Sequence, residues 1–223
     1  MAQDIWFQNT AGPAKHQAVA LRVSADQTVI NRCRIDAYQD TLYTHTLRQF
    51  YRDSYITGTV DFIFGNSAVV FQNCDIVARN PGAGQKNMLT AQGREDQNQN
   101  TAISIQKCKI TASSDLAPVK GSVKTFLGRP WKLYSRTVII LSFIDNHIDP
   151  AGWFPWDGEF ALSTLYYGEY ANTGPGADTS KRVNWKGFKV IKDSKEAEQF
   201  TVAKLIQGGL WLKPTGVTFQ EWL

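Results

Sequence analysis

A short motif recurs along this chain at intervals of 20 to 34 residues. Each copy places a small residue two positions before an isoleucine, and the isoleucines are Ile35, Ile56, Ile76, Ile110 and Ile144. The first two intervals are 21 and 20 residues, and the next two are 34 residues each. Repeats of this length indicate a solenoid, in which each repeat buries its apolar face only against its neighbours.

The segments around these motifs are typical of β-strands. Residues 18–23, 69–71, 103–105 and 138–141 are rich in β-branched and apolar residues, and Asn, Gly, Asp and Ser separate such runs. No sustained 3.6-residue apolar period occurs in residues 1–190. We therefore predict an all-β fold, a single-stranded parallel β-helix with coils about 4.8 Å apart. A short helical or irregular tail is expected to follow it at the C-terminus.

The small-residue position carries all three cysteines of the chain. In coil order it holds Thr10, Cys33, Ser54, Cys74, Cys108 and Ser142. We interpret residues 79–99 as an excursion loop, which makes Cys74 and Cys108 neighbours on adjacent coils. Their Cα atoms would then be about 5 Å apart, within the range of a disulfide. A Cys74–Cys108 disulfide with Cys33 as a free thiol is one prediction, and three unpaired core cysteines are the alternative.

Composition restricts the classes of protein to which the chain can belong. With 223 residues, 43% of them hydrophobic, the chain can form one solenoid domain over residues 1–223. The first strand has no polar cap before it, so we interpret this domain as lacking its first coils and its N-terminal cap. The net charge of +4 suits a polyanionic partner. We find no signature of a membrane span, a metal or cofactor site, or nucleic-acid binding, and we expect a monomer.

Two aspartates occupy equivalent positions in successive repeats. Asp40 lies five residues after Ile35, and Asp61 lies five residues after Ile56, so we expect their side chains to stack. Two carboxylates about 5 Å apart cannot both ionise at their ordinary pKa, so one keeps its proton while the other is an anion. Such a pair supplies one general acid and one nucleophile or base.

Amide, guanidinium and indole groups accompany the acids. Gln17 and Gln39 are 22 residues apart, about one coil, and their NH₂ groups are neutral donors for an oxyanion. Arg129 lies on a turn framed by glycine and proline, where it could bind a carboxylate through two hydrogen bonds. Trp131 and Trp153 offer flat apolar faces for sugar rings. These residues indicate a groove for an extended polymer, although Asp and Gln ladders in β-helices also occur as purely structural features.

Four segments carry a resemblance to a known family. In order they are QAVAL at 17–21, QDTL at 39–42, DFIFG at 61–65 and LGRPW at 127–131. At these segments the chain resembles the plant-type pectin methylesterases, and WFPW at 153–156 and YGEY at 167–170 extend the similarity. The family's first signature, Gly-x-Tyr-x-Glu, does not occur in this sequence.

The resemblance implies a fold, a reaction and roles for the residues. The family folds as a right-handed parallel β-helix and hydrolyses the methyl esters of galacturonate in pectin, which leaves pectate and methanol. By motif position, Asp61 resembles the nucleophile that forms an acyl-enzyme, and Asp40 resembles the general acid and base. The remaining matches are Gln39 and Gln17 as oxyanion-stabilising and substrate-contacting amides, Arg129 as the partner of Asp61, and Trp131 and, more weakly, Trp153 as sugar-contacting aromatics. No cofactor is implied.

The same resemblance implies partners and a location. Methylesterified homogalacturonan is the expected substrate, a proteinaceous pectinesterase inhibitor is a candidate partner, and the cell wall outside the cell is the expected place of action. Two alternatives remain. A retaining glycosidase also needs two carboxylates about 5 Å apart, and a truncated chain could be an inactive pectin-binding wall protein.

Overall fold

The structure is a computed structural model that describes all residues, 1–223. It contains nineteen β-strands and two short α-helices. In chain order the strands are β1 (Ala2–Gln3), β2 (Trp6–Gln8), β3 (Leu21–Val23), β4 (Thr28–Asn31), β5 (Arg34–Asp36), β6 (Leu42–Thr44), β7 (Arg48–Arg52), β8 (Tyr55–Gly58), β9 (Ile63–Gly65), β10 (Ala68–Gln72), β11 (Asp75–Ala78), β12 (Asn87–Gln92), β13 (Ala102–Gln106), β14 (Lys109–Ala112), β15 (Thr125–Gly128), β16 (Arg136–Ile140), β17 (Phe143–Ile144), β18 (Tyr166–Tyr170) and β19 (Phe188–Val190).

The strands form three sheets along the sides of one solenoid. The eight-stranded sheet has the order β1-β4-β7-β10-β13-β16-β18-β19, the six-stranded sheet β17-β14-β11-β8-β5-β2, and the five-stranded sheet β15-β12-β9-β6-β3. Every strand pair in them is parallel, as in Leu42 beside Ile63. From β1 to β15, each coil contributes one strand to each sheet in turn. The predicted parallel β-helix is confirmed.

The isoleucines of the repeat form one column inside the six-stranded sheet. Ile35 pairs with Ile56, Ile56 with Ile76, Ile76 with Ile110, and Ile110 with Ile144. All five side chains are fully buried. The first member of the column is an aromatic residue, Phe7, which pairs with Ile35. The isoleucines of the repeat therefore face the interior of the solenoid, as predicted.

The small-residue column marks the bend between the eight-stranded and six-stranded sheets. The residue before it has a positive φ in coil after coil, 49° at Arg32, 48° at Asp53 and 57° at Asn73. At this bend the backbone N–H of Cys33 donates to Ser54 Oγ at 3.1 Å. Thr10 does not belong to the column, and that part of the prediction is wrong. Phe7 pairs with Ile35, so Ile5, two residues before Phe7, occupies the position, and its carbonyl accepts from Arg34 N.

Cys74 and Cys108 are neighbours but are not bonded. Cys33, Cys74 and Cys108 are all free and buried. The backbone N–H of Cys74 donates to Cys108 Sγ at 3.3 Å, and the Cys108 thiol also lies near the carbonyl oxygen of Phe71. The predicted Cys74–Cys108 disulfide is therefore absent, and the alternative of three unpaired core cysteines applies. In a parallel ladder, neighbouring inward side chains run side by side, and here the sulfur atoms contact backbone groups.

Residues 79–99 are only partly a loop. Within them β12 (Asn87–Gln92) pairs with β9 on one side and β15 on the other. The coil needs this strand to complete its third side, and the prediction of one continuous excursion loop is wrong. The true excursions flank it, at residues 79–86 and 93–99.

The C-terminal tail covers the outer face of the eight-stranded sheet. It contains α1 (Ser194–Glu198) and α2 (Val202–Leu205), with single 3-10 turns at Gly208–Leu210 and Lys213–Thr215. Its buried side chains, such as Phe200 and Val202, pack on outward apolar residues of the sheet such as Val70. The predicted helical or irregular tail is confirmed. Neither helix has the length and apolar character that crossing a membrane requires.

Gly65, at the end of β9, tests how tightly the coils stack. Its φ is 133°, and a Cβ atom built on it would overlap the carbonyl oxygen of Thr44 on the preceding coil. We expect Gly65→Ala to lower the free energy of unfolding by about 3 kcal/mol or more, because both strain and overlap oppose it. Gly121→Ala is the control, since nothing lies within 4 Å of its added Cβ. Equal urea midpoints for the two variants would contradict this account.

Candidate active site

Asp40 and Asp61 lie at the same corner of neighbouring coils, just before β6 and β9. Both have left-handed backbones, with φ of 62° and 49°, which aspartate tolerates better than most residues. Asp40 N donates to the carbonyl of Val60 at 3.0 Å, which locks one corner above the other. Both side chains line a cavity of about 150 Å³ on the flank of the solenoid. The structure thus brings the two acids together as the spacing predicts.

Arg129 binds Asp61 through two hydrogen bonds. Its Nε lies 2.8 Å from Oδ1 and its Nη2 lies 2.7 Å from Oδ2, in a part-buried setting. Arg129 directly follows β15, where a Cβ on Gly128 would overlap Thr90 of the previous coil. The guanidinium is also covered by the ring of Trp156, 4.3 Å from Cζ to the ring centroid. A bidentate, stacked guanidinium of this kind favours the ionised carboxylate.

The two glutamines stack by their backbones but have different partners. Gln17 and Gln39 form an isolated parallel bridge. The Gln17 amide donates from Nε2 to Asp40 Oδ2 at 2.9 Å. The Gln39 side chain lines an adjoining cavity of about 200 Å³ together with Arg129 and Phe154. Gln39 is part buried and precedes Asp40, but it lines this neighbouring cavity and is not among the residues that line the cavity of the two acids.

The acids have perturbed pKa values for identifiable reasons. Burial, followed by the negative charge of Asp61, raises the pKa of Asp40 to about 7, while the Gln17 hydrogen bond and Arg129 oppose this rise. Burial also raises the pKa of Asp61, and the hydrogen bonds and charge of Arg129 act against that effect. Only Asp61 has a cation bonded directly to it, so it is the acid of the pair that ionises first.

Aromatic side chains form the wall of the cleft. Trp131, Trp156 and Phe64 line the same cavity as the acids. The Trp131 ring packs edge-on against Phe64, 5.9 Å between centroids, and lies directly over Gly93. Trp131 is thus found where the sequence predicts it, and its half-exposed ring faces the cavity.

Trp153 is not in the cleft. It is 1% exposed, its ring stacks on Tyr167 at 4.2 Å, and its Nε1 donates to Glu169. The predicted sugar-contacting position of Trp153 is therefore wrong, and the tryptophan of this segment that lines the cavity is Trp156, which the sequence analysis did not single out. The sequence did contain a signal for this difference. Trp153 and Trp156 are three positions apart, and residues three apart in an extended chain face opposite sides.

The surroundings of the acids offer no ready ligand set for a cation. No group of three or more His, Cys, Asp or Glu side chains is arranged to hold a metal ion.

Fold and site together define a parallel β-helix protein with a carboxylate-pair cleft on the flank of its solenoid. The family model for Pectinesterase matches residues 1–209, and the chain belongs to the pectinesterase family.

Individual relatives agree with this assignment. The chain is 99% identical over 223 residues to pectinesterase/pectinesterase inhibitor 18 of Arabidopsis thaliana and 69% identical over 221 residues to pectinesterase 3 of Solanum lycopersicum. The two matches include 100% and 99% of this chain but only 40% and 41% of the relatives. The chain therefore spans about two fifths of their length.

Solved structures match over nearly the whole chain. Pectin methylesterase from carrot has a TM-score of 0.98 at 66% identity, covering 99% of this chain and 69% of that one. The enzyme from Aspergillus niger has a TM-score of 0.73 at 32% identity, with 88% and 59% covered. A pectin methylesterase mutant in complex with a hexasaccharide has a TM-score of 0.70 at 27% identity, with 92% and 68% covered. The resemblance seen in the sequence motifs is confirmed.

The raised pKa of Asp40 predicts a pH-dependent stability. Its folded-state pKa of about 7 exceeds the ordinary value of 3.8, so its contribution is fully present below pH 3.8 and is lost as the pH rises to 7. We expect Asp40→Asn to remove this loss, which makes the variant more stable relative to wild type at pH 8 than at pH 4, by on the order of 3 kcal/mol.

Urea unfolding of both proteins at the two pH values measures this difference. Asp26→Asn is the control, because Arg48 lowers the pKa of Asp26 to about 2 and little titration remains between pH 4 and 8. An Asp40→Asn difference that is the same at both pH values would show that Asp40 titrates normally.

Proposed function

We propose that the protein hydrolyses the methyl esters of galacturonate units in pectin and releases pectate and methanol. The observation that carries the proposal is an aspartate, Asp61, held by Arg129 beside a second aspartate, Asp40, whose pKa is raised to about 7. Near neutral pH this pair offers a carboxylate nucleophile and a protonated acid together. The named activity of the relatives, pectin methylesterase, supports the same reaction.

In the first step an oxygen of Asp61 attacks the ester carbonyl carbon. The carbonyl π electrons move onto oxygen, and the amide N–H groups of Gln39 and Gln17 donate to this oxyanion. When the intermediate collapses, the bond to the methoxy oxygen breaks and Asp40 gives its proton to that oxygen, so methanol leaves. The product is an acyl-enzyme, an anhydride between Asp61 and the galacturonate carboxyl group.

In the second step water replaces Asp61. The Asp40 carboxylate left by the first step takes a proton from the water as it attacks the acyl carbon, which restores the protonated acid. The Asp61 carboxylate leaves and returns to its two hydrogen bonds with Arg129. The net reaction consumes one ester and one water and produces one galacturonic acid unit and one methanol.

The cleft around the acids suits a sugar polymer. Trp131 and Trp156 offer flat faces at the cavity that holds the acids, and Phe154 and Lys86 continue the surface past Gln39. The match to a pectin methylesterase in complex with a hexasaccharide supports an oligosaccharide lying across this flank. We assign methylesterified homogalacturonan as the substrate and sugar contact as the role of Trp131.

The relatives extend the proposal to place and partners. Several are plant pectinesterases, and pectin is a cell-wall polymer, so we propose that the protein acts outside the cell in the wall. Three relatives are named pectinesterase/pectinesterase inhibitor, which supports a proteinaceous inhibitor as a partner. We propose a monomeric catalytic domain over residues 1–223.

One alternative has its own support. The chain spans only two fifths of its curated relatives, so a pectin-binding wall protein without turnover is the second candidate. The glycosidase interpretation is weaker, because the paired amides of Gln17 and Gln39 would serve a tetrahedral oxyanion and have no part in an oxocarbenium-like transition state.

Loss of the nucleophile tests the proposed reaction. We expect Asp61→Asn to lower methanol release from highly methylated pectin by at least about 1000-fold, because the amide cannot form the acyl-enzyme. Asp53→Asn is the matched control, since Asp53 also has a left-handed backbone and an arginine partner, Arg52, but lies at another corner of the coil. Wild-type rates in Asp61→Asn would refute the assignment, and a folded wild type without turnover would favour the binding protein.

The pH profile tests the role of Asp40. Because Asp40 must be protonated to release methanol, kcat/KM should fall as the pH rises above about 7. Gln17 donates to the Asp40 carboxylate and thereby stabilises its anion. Gln17→Ala should therefore raise the pKa of Asp40 and move this alkaline limb to higher pH, by about half a unit to one unit. A limb that stays in place, or moves down, would assign it to another group.

A further inference from the structure

A buried ion pair interrupts the apolar interior near the C-terminal end of the solenoid. Glu169 of β18 continues a column of inward residues, since it pairs with Ile139, which pairs with Ile105. Its carboxylate accepts from Arg182 at 2.8 and 3.0 Å, and each side chain is only 2% exposed. The guanidinium also donates to the carbonyl oxygens of Pro150 and Gly176. Such a pair is costly to bury unless it fixes something, because both charges lose their hydration.

The group that this pair holds is the indole of Trp153. Trp153 Nε1 donates to Glu169 Oε1 at 3.2 Å, and its ring stacks on Tyr167. Gly152, just before Trp153, has a φ of 73°, and a Cβ there would overlap the Arg182 side chain. Residues 152 and 153 are therefore fixed from two sides by the ion pair.

The segment 152–156 contacts Gly128 near its start and the Arg129 side chain at its end. At the backbone, Trp153 forms a parallel bridge with Gly128, the residue before Arg129, and Phe154 N donates to the Gly128 carbonyl at 3.0 Å. At the side chain, Trp156 covers the guanidinium. Three residues after the buried indole, the chain thus reaches the cation that is bound to Asp61.

We propose that Trp153 is a positioning residue for Arg129, and that the Glu169–Arg182 pair fixes its indole. The inference rests on the proposed function, in which Arg129 keeps Asp61 ionised for attack. Trp153 acts from beneath the cleft through the segment 152–156 and does not touch the substrate. If this segment shifts, the two hydrogen bonds from Arg129 to Asp61 lengthen and the anion loses its stabilisation.

The test is the acid limb of the pH profile of kcat/KM in Trp153→Phe. Phenylalanine keeps a ring against Tyr167 but has no N–H for Glu169. We expect the limb to move to higher pH by about half a unit to one unit, because Asp61 then ionises less readily, while KM stays nearly constant. Arg182→Lys is the second variant, since it keeps the charge opposite Glu169 but loses the forked hydrogen bonds, and it should move the limb in the same direction.

Trp211→Phe is the matched control for simple destabilisation. Trp211 is also buried and donates its Nε1 to a backbone carbonyl, that of Ile206 at 2.8 Å, but it belongs to the C-terminal tail. It should lower Tm without moving the limb. If Trp153→Phe and Arg182→Lys lower Tm and leave the limb in place, the positioning role is refuted. Failure of the proposed function would look different, because the folded wild type would then release no methanol or Asp61→Asn would retain turnover.

Discussion

The parallel hydrogen bonding of each coil to the next is the interaction on which the whole structure depends. Because all strand pairs are parallel and nearly in constant register, a side chain in one coil meets its counterpart in the next coil. This keeps Ile35 over Ile56 and Ile76 in the core, and it repeats the left-handed bend at which Ser54 accepts a backbone N–H. A slip of one residue would turn these apolar side chains to solvent, so each coil holds the next in register.

The same register also stacks the two acids of the cleft, and this stacking lowers the stability of the fold. Stacking Asp40 on Asp61 brings two like charges together in a part-buried corner, and burial adds to the cost of ionising either. Only one of them receives a cation, and that cation comes from a later coil, after β15. Arginine has the length and the forked geometry to reach back and bind both carboxylate oxygens, which a lysine could not do. The asymmetry between two identical residues follows from this one contact.

Much of this arrangement could be predicted from the sequence, because it depends on spacing. The isoleucine column and the stacking of Asp40 on Asp61 follow from intervals near 21 residues. The pairing of Arg129 with Asp61 could not be counted from spacing, since 68 residues separate them. The turn at Arg129 marked it as a candidate partner for a carboxylate, and only the family resemblance assigned it to Asp61. Three of the failures share a cause: Thr10, the residue 79–99 excursion and Trp153 all lie where the repeat is irregular, so the motif does not show which coil a residue belongs to or which way its side chain faces. The absent Cys74–Cys108 disulfide is different, because the spacing placed the two cysteines side by side correctly and they are nevertheless unpaired.

The irregular part of the solenoid is also where the site acquires its support. A regular coil can repeat an aspartate, but it cannot supply a single cation to one of two equivalent positions. That requires a segment outside the repeat, and the segment at 152–156 must then be fixed by something other than coil stacking. A buried ion pair such as Glu169–Arg182 meets this need, because its hydrogen bonds have fixed directions where apolar packing would allow sliding. On this view the charges buried near the end of the solenoid and the acids in its cleft are parts of one electrostatic arrangement, joined through the backbone at Gly128.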